Sequence, residues 1–285
     1  MSAEVWSIKR LLQWTQQFLK EKGVESARLE AEILLAHVLG CKRIDLYVRS
    51  EEQPADDKRT TFRELIKKRV DGCPVAYLVG QREFFQLNFA VTPAVLIPRP
   101  ETELLVIEAI RLLKGKESSR VLDIGTGSGC IALSIAKQCP AARITASDKS
   151  EQALAIATRN AATHRLGEHV RFILGDLFAS IGDETFDLII SNPPYIATAE
   201  IETLDRDVRD FEPRTALDGG ADGLGIYRRL IAETPSHLAP GGSLLLEIGA
   251  TQESAVHELL KATGRFTEVK THRDAQKLPR VIEAG

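Results

Sequence analysis

Asn192-Pro193-Pro194-Tyr195 follows directly on the apolar run Phe186-Asp187-Leu188-Ile189-Ile190-Ser191. Proline has no backbone N–H and a fixed φ, so neither Pro193 nor Pro194 can continue a central ladder, and the chain leaves the sheet there. Their carbonyls stay available as acceptors. A planar NH2 group offers two donors, which the Asn192 side-chain oxygen and a proline carbonyl could hold together while Tyr195 stacks on its plane. Taken alone, the four residues also fit a surface turn at a strand end, which Asn-Pro pairs often mark.

A segment about 65 residues upstream argues for chemistry. Val121-Leu122-Asp123-Ile124 runs into Gly125-Thr126-Gly127-Ser128-Gly129, and Cys130, Ile131, Ala132, Leu133, Ile135 and Ala136 continue with a helical pattern. This predicts a strand, a tight loop and a helix. Glycines permit the sharp turn and let a ligand approach the backbone, while the helix start offers unpaired N–H groups. The next predicted strand, Ala142 to Ser147, is followed by Asp148, 19 residues beyond Gly129, where a carboxylate can accept from ribose hydroxyls.

A nicotinamide dinucleotide competes for such elements. Against it, the spacing is Gly-x-Gly-x-Gly with Cys130 where a third dinucleotide glycine or alanine is expected. Asp123, just ahead of the glycines, is a poor neighbour for a pyrophosphate and a good one for a cationic ligand end.

Asp123 to Gly129, Asp148, Gly175-Asp176 and Asn192 to Tyr195, in this order, resemble a class I S-adenosylmethionine-dependent methyltransferase. The resemblance implies S-adenosyl-L-methionine as cofactor and S-adenosyl-L-homocysteine as product. By similarity, Asp123, Gly125, Thr126, Gly127, Ser128 and Gly129 lie at its methionine part, Asp148 binds the ribose, Asp176 with Leu177 borders the adenine, and Asn192 adjoins the reacting end. Taken alone, Asp176 also fits a solvated turn.

The elements that must position these residues are legible around them. A chain of 285 residues with 44% hydrophobic residues exceeds one typical domain and can bury a sizeable core, so two domains are expected. Ile8, Leu11, Leu12, Thr15, Phe18 and Leu19 recur at helical spacing, as do Ala31, Leu34, Leu35, Val38 and Leu39 before a capping Gly40. Further helices are expected over Asp56 to Val70 and Pro74 to Leu78, and the alternation Phe85 to Val91 predicts strands. Pro100 suits a first helical turn, with Glu101 and Glu103 complementing the positive helix end.

Beyond it, strands near Val121, Ile144, Val170 to Leu174, Leu188 to Ser191 and Ser243 to Ile248 alternate with helices near Gln152 to His164 and Gly225 to Leu238. That alternation predicts an α/β doubly wound sheet. Pro240-Gly241-Gly242 is expected to turn into the fifth strand, Phe266 to Lys270 and Arg280 to Glu283 to form the last pair, and Leu217 to Leu224 to be a loop.

Four scattered cysteines without a Cys-x-x-Cys pair, and no signal peptide or long apolar span, point to a reducing, cytoplasmic setting. The six histidines show no ligand spacing, and no metal is expected. Up to Thr92 there are 15 basic against 13 acidic side chains, and beyond it 22 against 27. That is no basic domain of the kind a nucleic-acid footprint requires.

Leu96-Ile97-Pro98-Arg99-Pro100-Glu101-Thr102-Glu103, Pro74 to Gly80, Arg82-Glu83-Phe84 and Phe211-Glu212-Pro213-Arg214-Thr215-Ala216-Leu217 narrow the resemblance. Over nearly the whole chain they are similar to the protein-(glutamine-N5) methyltransferases that act on peptide chain release factors. The resemblance implies a small helical substrate-docking domain over residues 1–82, a β-hairpin connector over 83–99, and a Rossmann-like methyltransferase domain with a mostly parallel seven-stranded sheet over 100–285. It implies an acceptor, the side-chain amide of the glutamine in the Gly-Gly-Gln motif of class 1 release factors, and so a role in translation termination. Asn192 and the Pro193 carbonyl would bind the amide NH2, with Pro194 and Tyr195 shaping the slot.

Release factors are the expected partner, with no direct nucleic-acid binding, no membrane and a monomeric state. A nucleic-acid N6-adenine methyltransferase stays open, because adenine N6 is also a planar conjugated NH2. So do a glutamine methyltransferase of a ribosomal protein and a non-catalytic cofactor-binding protein.

Overall fold

The computed structural model describes residues 6–285 and divides the chain into two compact units. One unit takes the chain up to Gly80 together with Asp205–Phe211, and the other takes Gln81–Leu204 and Glu212–Gly285. Residues 1–5 of the expected docking domain lie outside the described residues.

The first unit is helical, with helices Ile8–Glu21, Ala27–Leu39, Asp45–Val48, Asp56–Val70 and Val75–Val79, to which Arg206–Phe211 is added. Ser7 Oγ accepts the Arg10 N–H at 3.3 Å and starts the first helix. Gly40, at φ 64°, ends the second in the left-handed conformation that glycine reaches without strain. Leu19, Leu34, Leu35, Leu46, Phe62 and Ile66 form its core. Glu32 is buried beside it. Burial pushes its carboxyl up, and hydrogen bonds from Tyr47, Arg43 and Arg28 more than reverse this, leaving it below its ordinary value.

The second unit opens with an antiparallel hairpin, β1 (Gln81–Phe84) and β2 (Leu87–Ala90). The expected strand over Phe85 to Val91 is therefore corrected: Phe85 and Gln86 form its two-residue turn, both at positive φ, 46° and 62°. Such turns match strand twist but normally take glycine or asparagine, which hides this one from sequence reading.

Seven further strands follow, β3 (Arg120–Ile124), β4 (Arg143–Asp148), β5 (Val170–Leu174), β6 (Phe186–Ser191), β7 (Leu238–Glu247), β8 (Val269–Arg273) and β9 (Pro279–Ala284). They make one sheet in the order β5-β4-β3-β6-β7-β9-β8, in which β9 alone runs antiparallel to its neighbours. Successive strand residues face opposite sides, so Val121, Leu188 and Ile190 enter one apolar cluster with helices Glu103–Leu113 and Cys130–Gln138. Leu122, Ile124 and Ile189 enter another with helices Gly225–His237 and Glu253–Ala262. This is the doubly wound arrangement of a class I methyltransferase, buried on both faces as parallel sheets require.

Two boundaries differ from expectation. Pro240-Gly241-Gly242 lies inside β7, where the register jumps from Phe186↔Leu238 to Leu188↔Ser243, so it is a bulge. The strand expected from Phe266 begins at Val269. Among the described residues, no helix is long and apolar enough to cross a membrane.

Candidate functional site

β3 and β6 are parallel neighbours with Ile124 opposite Ser191. The residues that follow, Gly125 and Asn192, therefore leave the sheet side by side, at the point where strand order reverses and the carboxyl ends of α/β strands open a crevice. Ser191 Oγ donates to the Ile124 carbonyl at 2.7 Å and ties the two exits together.

The glycine loop is held from the end of β4. Gly125 and Thr126 N–H donate to the Ser147 carbonyl at 2.8 and 2.9 Å, and Gly127 N–H donates to Asp148 Oδ2 at 2.9 Å. Asp148 Oδ1 accepts the Ser150 N–H, and its carbonyl accepts the Gly175 N–H, so β4 organises the loops after three strands. Gly129, at φ 80°, turns the chain into helix Cys130–Gln138, and a Cβ there would stand 3.2 Å from Ala157 Cβ and Leu133 Cδ1. Gly127 also has positive φ, but a Cβ on it would meet no atom within 4 Å. Behind the loop, Asn160 donates to the Ser128 and Ala90 carbonyls at 2.8 and 3.1 Å and accepts the Ala90 N–H at 2.7 Å, which joins the hairpin to the loop.

Gly125, Thr126, Gly127, Ser128, Asp148, Asp176, Leu177, Asn192, Pro193 and Pro194 come together around one cleft. The glycine loop and the Asn192 turn thus share the wall of one cleft that is open to solvent on one side. Asp176 is half-exposed and paired with Arg229 at 2.7 Å. Leu177 is buried at φ 53°, a strained conformation for a leucine.

Three expected residues do not line the cleft. Gly129 caps the helix. Asp123 is fully buried behind the loop: its Oδ2 accepts the Thr126 hydroxyl at 2.7 Å, while Oδ1 has no hydrogen-bond partner. Burial pushes its carboxyl up to about 7, against the opposing pull of Thr126 and the nearby Ala132 N–H. Tyr195 packs against the apolar cluster around Leu122 and Ile124, and burial pushes its phenol up to about 12.

Asn192 Nδ2 donates to Thr102 Oγ1 at 3.2 Å, which leaves its side-chain oxygen as the free acceptor of the amide. The turn behind it is locked from a distance. Gln252 Nε2 donates to the Tyr195 carbonyl at 2.9 Å, and the 217–224 loop runs against it, with Ile196 N–H donating to Leu217 and Gly219 N–H to Ile196. Two of its glycines leave no room for a side chain: a Cβ on Gly219 would stand 2.8 Å from the Pro194 carbonyl, and one on Gly223 2.4 Å from the Tyr195 carbonyl. Opposite, Glu212 accepts the Ile97 N–H at 3.1 Å and pairs with Arg99, which fixes the Leu96–Arg99 wall.

Sequence reading missed Thr102, Asn160, Glu212 and Glu247 as parts of this site. Glu247, at the end of β7, is buried next to Thr102 and Asn192, and burial pushes its carboxyl up to about 7. One local signal could have found it, a lone acid inside Leu244-Leu245-Leu246-Glu247-Ile248. Cys130 lines the cleft, but burial pushes its thiol to about 12, so it is no nucleophile at neutral pH. Away from the cleft, His272 lies beside Glu108 and Glu283, a grouping its sequence spacing does not announce. Arg111 pairs with both of those carboxylates.

Residues 10–80 match the family described as PrmC N-terminal domain, and residues 102–206 match the Methyltransferase small domain. A release factor glutamine methyltransferase of Geobacter sulfurreducens is 45% identical over 279 residues, 98% of this chain and 96% of that protein. One of Rhodopirellula baltica is 45% identical over 282 residues, 97% and 95% of the two chains. Among solved structures, a methyltransferase of Pyrococcus furiosus is 20% identical with a TM-score of 0.52, over 81% of this chain and 98% of that one, a likeness of fold alone. The near full-length identity, joined to an asparagine and a glycine loop leaving adjacent strands, makes this chain a member of the release factor glutamine methyltransferase family.

Proposed function

We propose that the protein transfers a methyl group from S-adenosylmethionine to the side-chain amide nitrogen of the glutamine in the Gly-Gly-Gln motif of class 1 peptide chain release factors, and so tunes translation termination. The observation that carries the reading is the juxtaposition of Asn192 with the Gly125 to Gly129 loop across β3 and β6.

The residues present fit the cofactor. The open side of Gly127 admits a ligand against the backbone, and the Asp123 carboxyl, buried behind the loop and off the cleft wall, can act on the methionine end only through the loop. Asp148 uses one lone pair of each oxygen on backbone N–H groups and keeps others for ribose hydroxyls. Asp176 and Leu177 line the same cleft, which supports their role beside the adenine. When bound, the cofactor supplies an electrophilic methyl on a sulfonium.

The chain's own task is positioning. An amide nitrogen is a poor nucleophile, because its lone pair is delocalised into the carbonyl. Asn192 Oδ1 and the Pro193 carbonyl hold its two N–H groups, orient the nitrogen, and stabilise positive charge that develops on it. Orientation alone can be worth effective molarities on the order of 10⁵ M. Pro194 and Tyr195 fix the shape of the turn, and no histidine base is needed.

Docking of the protein substrate falls to the N-terminal unit. Ile44, Tyr47 and Val48, exposed apolar side chains within one short segment, support that role. The test is transfer of labelled methyl to purified release factor, beside a Gly-Gly-Ala variant and duplex DNA. Label on the wild-type factor alone is expected; label on DNA would move the reading to adenine.

A further inference from the structure

The parallel register pairs Ser191 with Leu246, so Asn192, the first residue past β6, and Glu247, the last of β7, come together at the carboxyl ends of these strands. Glu247 is 1% exposed. Its carboxyl lies beside the Thr102 hydroxyl and the Asn192 side chain, both of which oppose the upward push of burial on it, and Asn192 Nδ2 donates to Thr102 Oγ1 at 3.2 Å. Glu247 Oε2 has no partner of its own, while the Tyr227 hydroxyl donates to the Glu247 carbonyl at 2.7 Å and pins the backbone.

An asparagine amide turned by half a revolution fills the same space but exchanges an acceptor for a donor. Packing does not choose between the two states; the hydrogen-bond partners do. An ionised carboxylate only accepts, so as pH rises through about 7 Glu247 comes to demand the NH2 side of Asn192.

We propose that Glu247, with Thr102 as relay, is a positioning residue that locks the Asn192 amide with its nitrogen inward and its oxygen facing the cleft. The inference rests on the reading of Asn192 as the acceptor for the substrate amide. A flipped Asn192 would present N–H to the N–H of the glutamine, replacing one attraction with a repulsive contact. Glu247 thereby contributes to selection of a donor group without touching it.

The test is a double-mutant cycle of Asn192→Ala and Glu247→Gln in the full chain, with S-adenosylmethionine and purified release factor. Glutamine keeps the size of Glu247 but can present either group, so it no longer dictates the orientation. Glu247→Gln is expected to lower kcat about tenfold, a part of the ~10²-fold that a whole preorganised polar group supplies. KM for the release factor and cofactor affinity by calorimetry should stay unchanged. In the Asn192→Ala background the same substitution should do nothing further, because a residue acting through Asn192 has nothing left to orient.

In the absence of any substrate, the Asn192 side-chain NH2 resonances, assigned by their loss in Asn192→Ala, should exchange slowly with solvent in the parent and faster in Glu247→Gln. Equal losses of kcat in both backgrounds would overturn the proposal while leaving the Asn192 reading intact. Wild-type turnover of Asn192→Ala would overturn both. Should Glu247→Gln fail to fold, Thr102→Val interrupts the same relay and must show the same dependence on Asn192.

Discussion

Asp148 accepts the Gly127 N–H at 2.9 Å, so the acid at the end of one strand also sets the conformation of the glycine loop that follows its neighbour. Loss of its carboxylate therefore removes two things, a set of acceptors facing the cleft and the latch on the loop. Asp148→Ala should weaken S-adenosylmethionine binding about tenfold or more, since ribose hydroxyls and Gly127 both lose a partner. Asp148→Asn keeps one acceptor and should fall between. Calorimetric affinity equal to the parent would show that the ribose lies elsewhere.

Asn192→Ala addresses the chemical step. It should lower kcat on the order of 10²-fold or more, with cofactor affinity little changed, because the lost group acts on the acceptor amide. Single-turnover transfer of labelled methyl separates the two effects, and an unchanged rate would remove the amide clamp from the mechanism.

Two buried acids give the unliganded protein an unusual pH response. Burial raises Asp123 from 3.8 and Glu247 from 4.5, each to about 7. A folded-state pKa above the unfolded one means that the folded chain holds extra protons between the two values. The associated stability is full below the ordinary carboxylate pKa and is lost as pH rises through about 7. The melting temperature of the ligand-free protein should thus increase as pH falls from 8 towards 5. Asp123→Asn keeps an acceptor for Thr126 without the buried charge, so it should raise the melting temperature at pH 8 and flatten that slope. A slope unaffected by the substitution would place the titration elsewhere.

Gly223 and Gly127 make a contrasting pair. Both have positive φ, yet a Cβ on Gly223 strikes the Tyr195 carbonyl while one on Gly127 faces open space. Gly223→Ala should destabilise the fold by ~1–3 kcal/mol and displace the turn that carries Asn192, reducing kcat. Gly127→Ala bears only the left-handed backbone cost of about 1 kcal/mol and should instead reduce cofactor affinity. Denaturant melts and calorimetry on both variants check the split; a Gly127→Ala protein with parental affinity would show that the ligand keeps clear of that backbone.

Much of this was legible because it is written locally. The helix over Asp56–Val70 has its expected bounds, and the strand before Asn192 ends where the prolines demand. Gly125 to Gly129 turns between strand and helix as its composition dictates. What escaped reading depends on partners distant in sequence. Asn160 reaches Ala90 across 70 residues, and Thr102 meets Asn192 across 90. A buried asparagine on a helix or a threonine in a first turn carries no local mark of such a role. The Phe85-Gln86 turn escaped for another reason, since its backbone is held in a shape its side chains do not advertise; the Phe85 N–H donates to Glu103 Oε1 at 2.9 Å.

The assignment of Asp205–Phe211 to the N-terminal unit means that the chain passes between the two units three times, after Gly80, after Leu204 and after Phe211. Arg206 and Phe211 close on Gly72 within that unit, where a Cβ would find them at 3.2 to 3.3 Å. The two parts are thus stitched rather than strung. A protease cut after Gly80 should leave both pieces co-purifying, because a helix encoded by the second piece is folded into the first. For the same reason, neither half can be lifted out at a single boundary: a fragment starting at Gln81 carries an orphaned helix, and one ending at Gly80 lacks it.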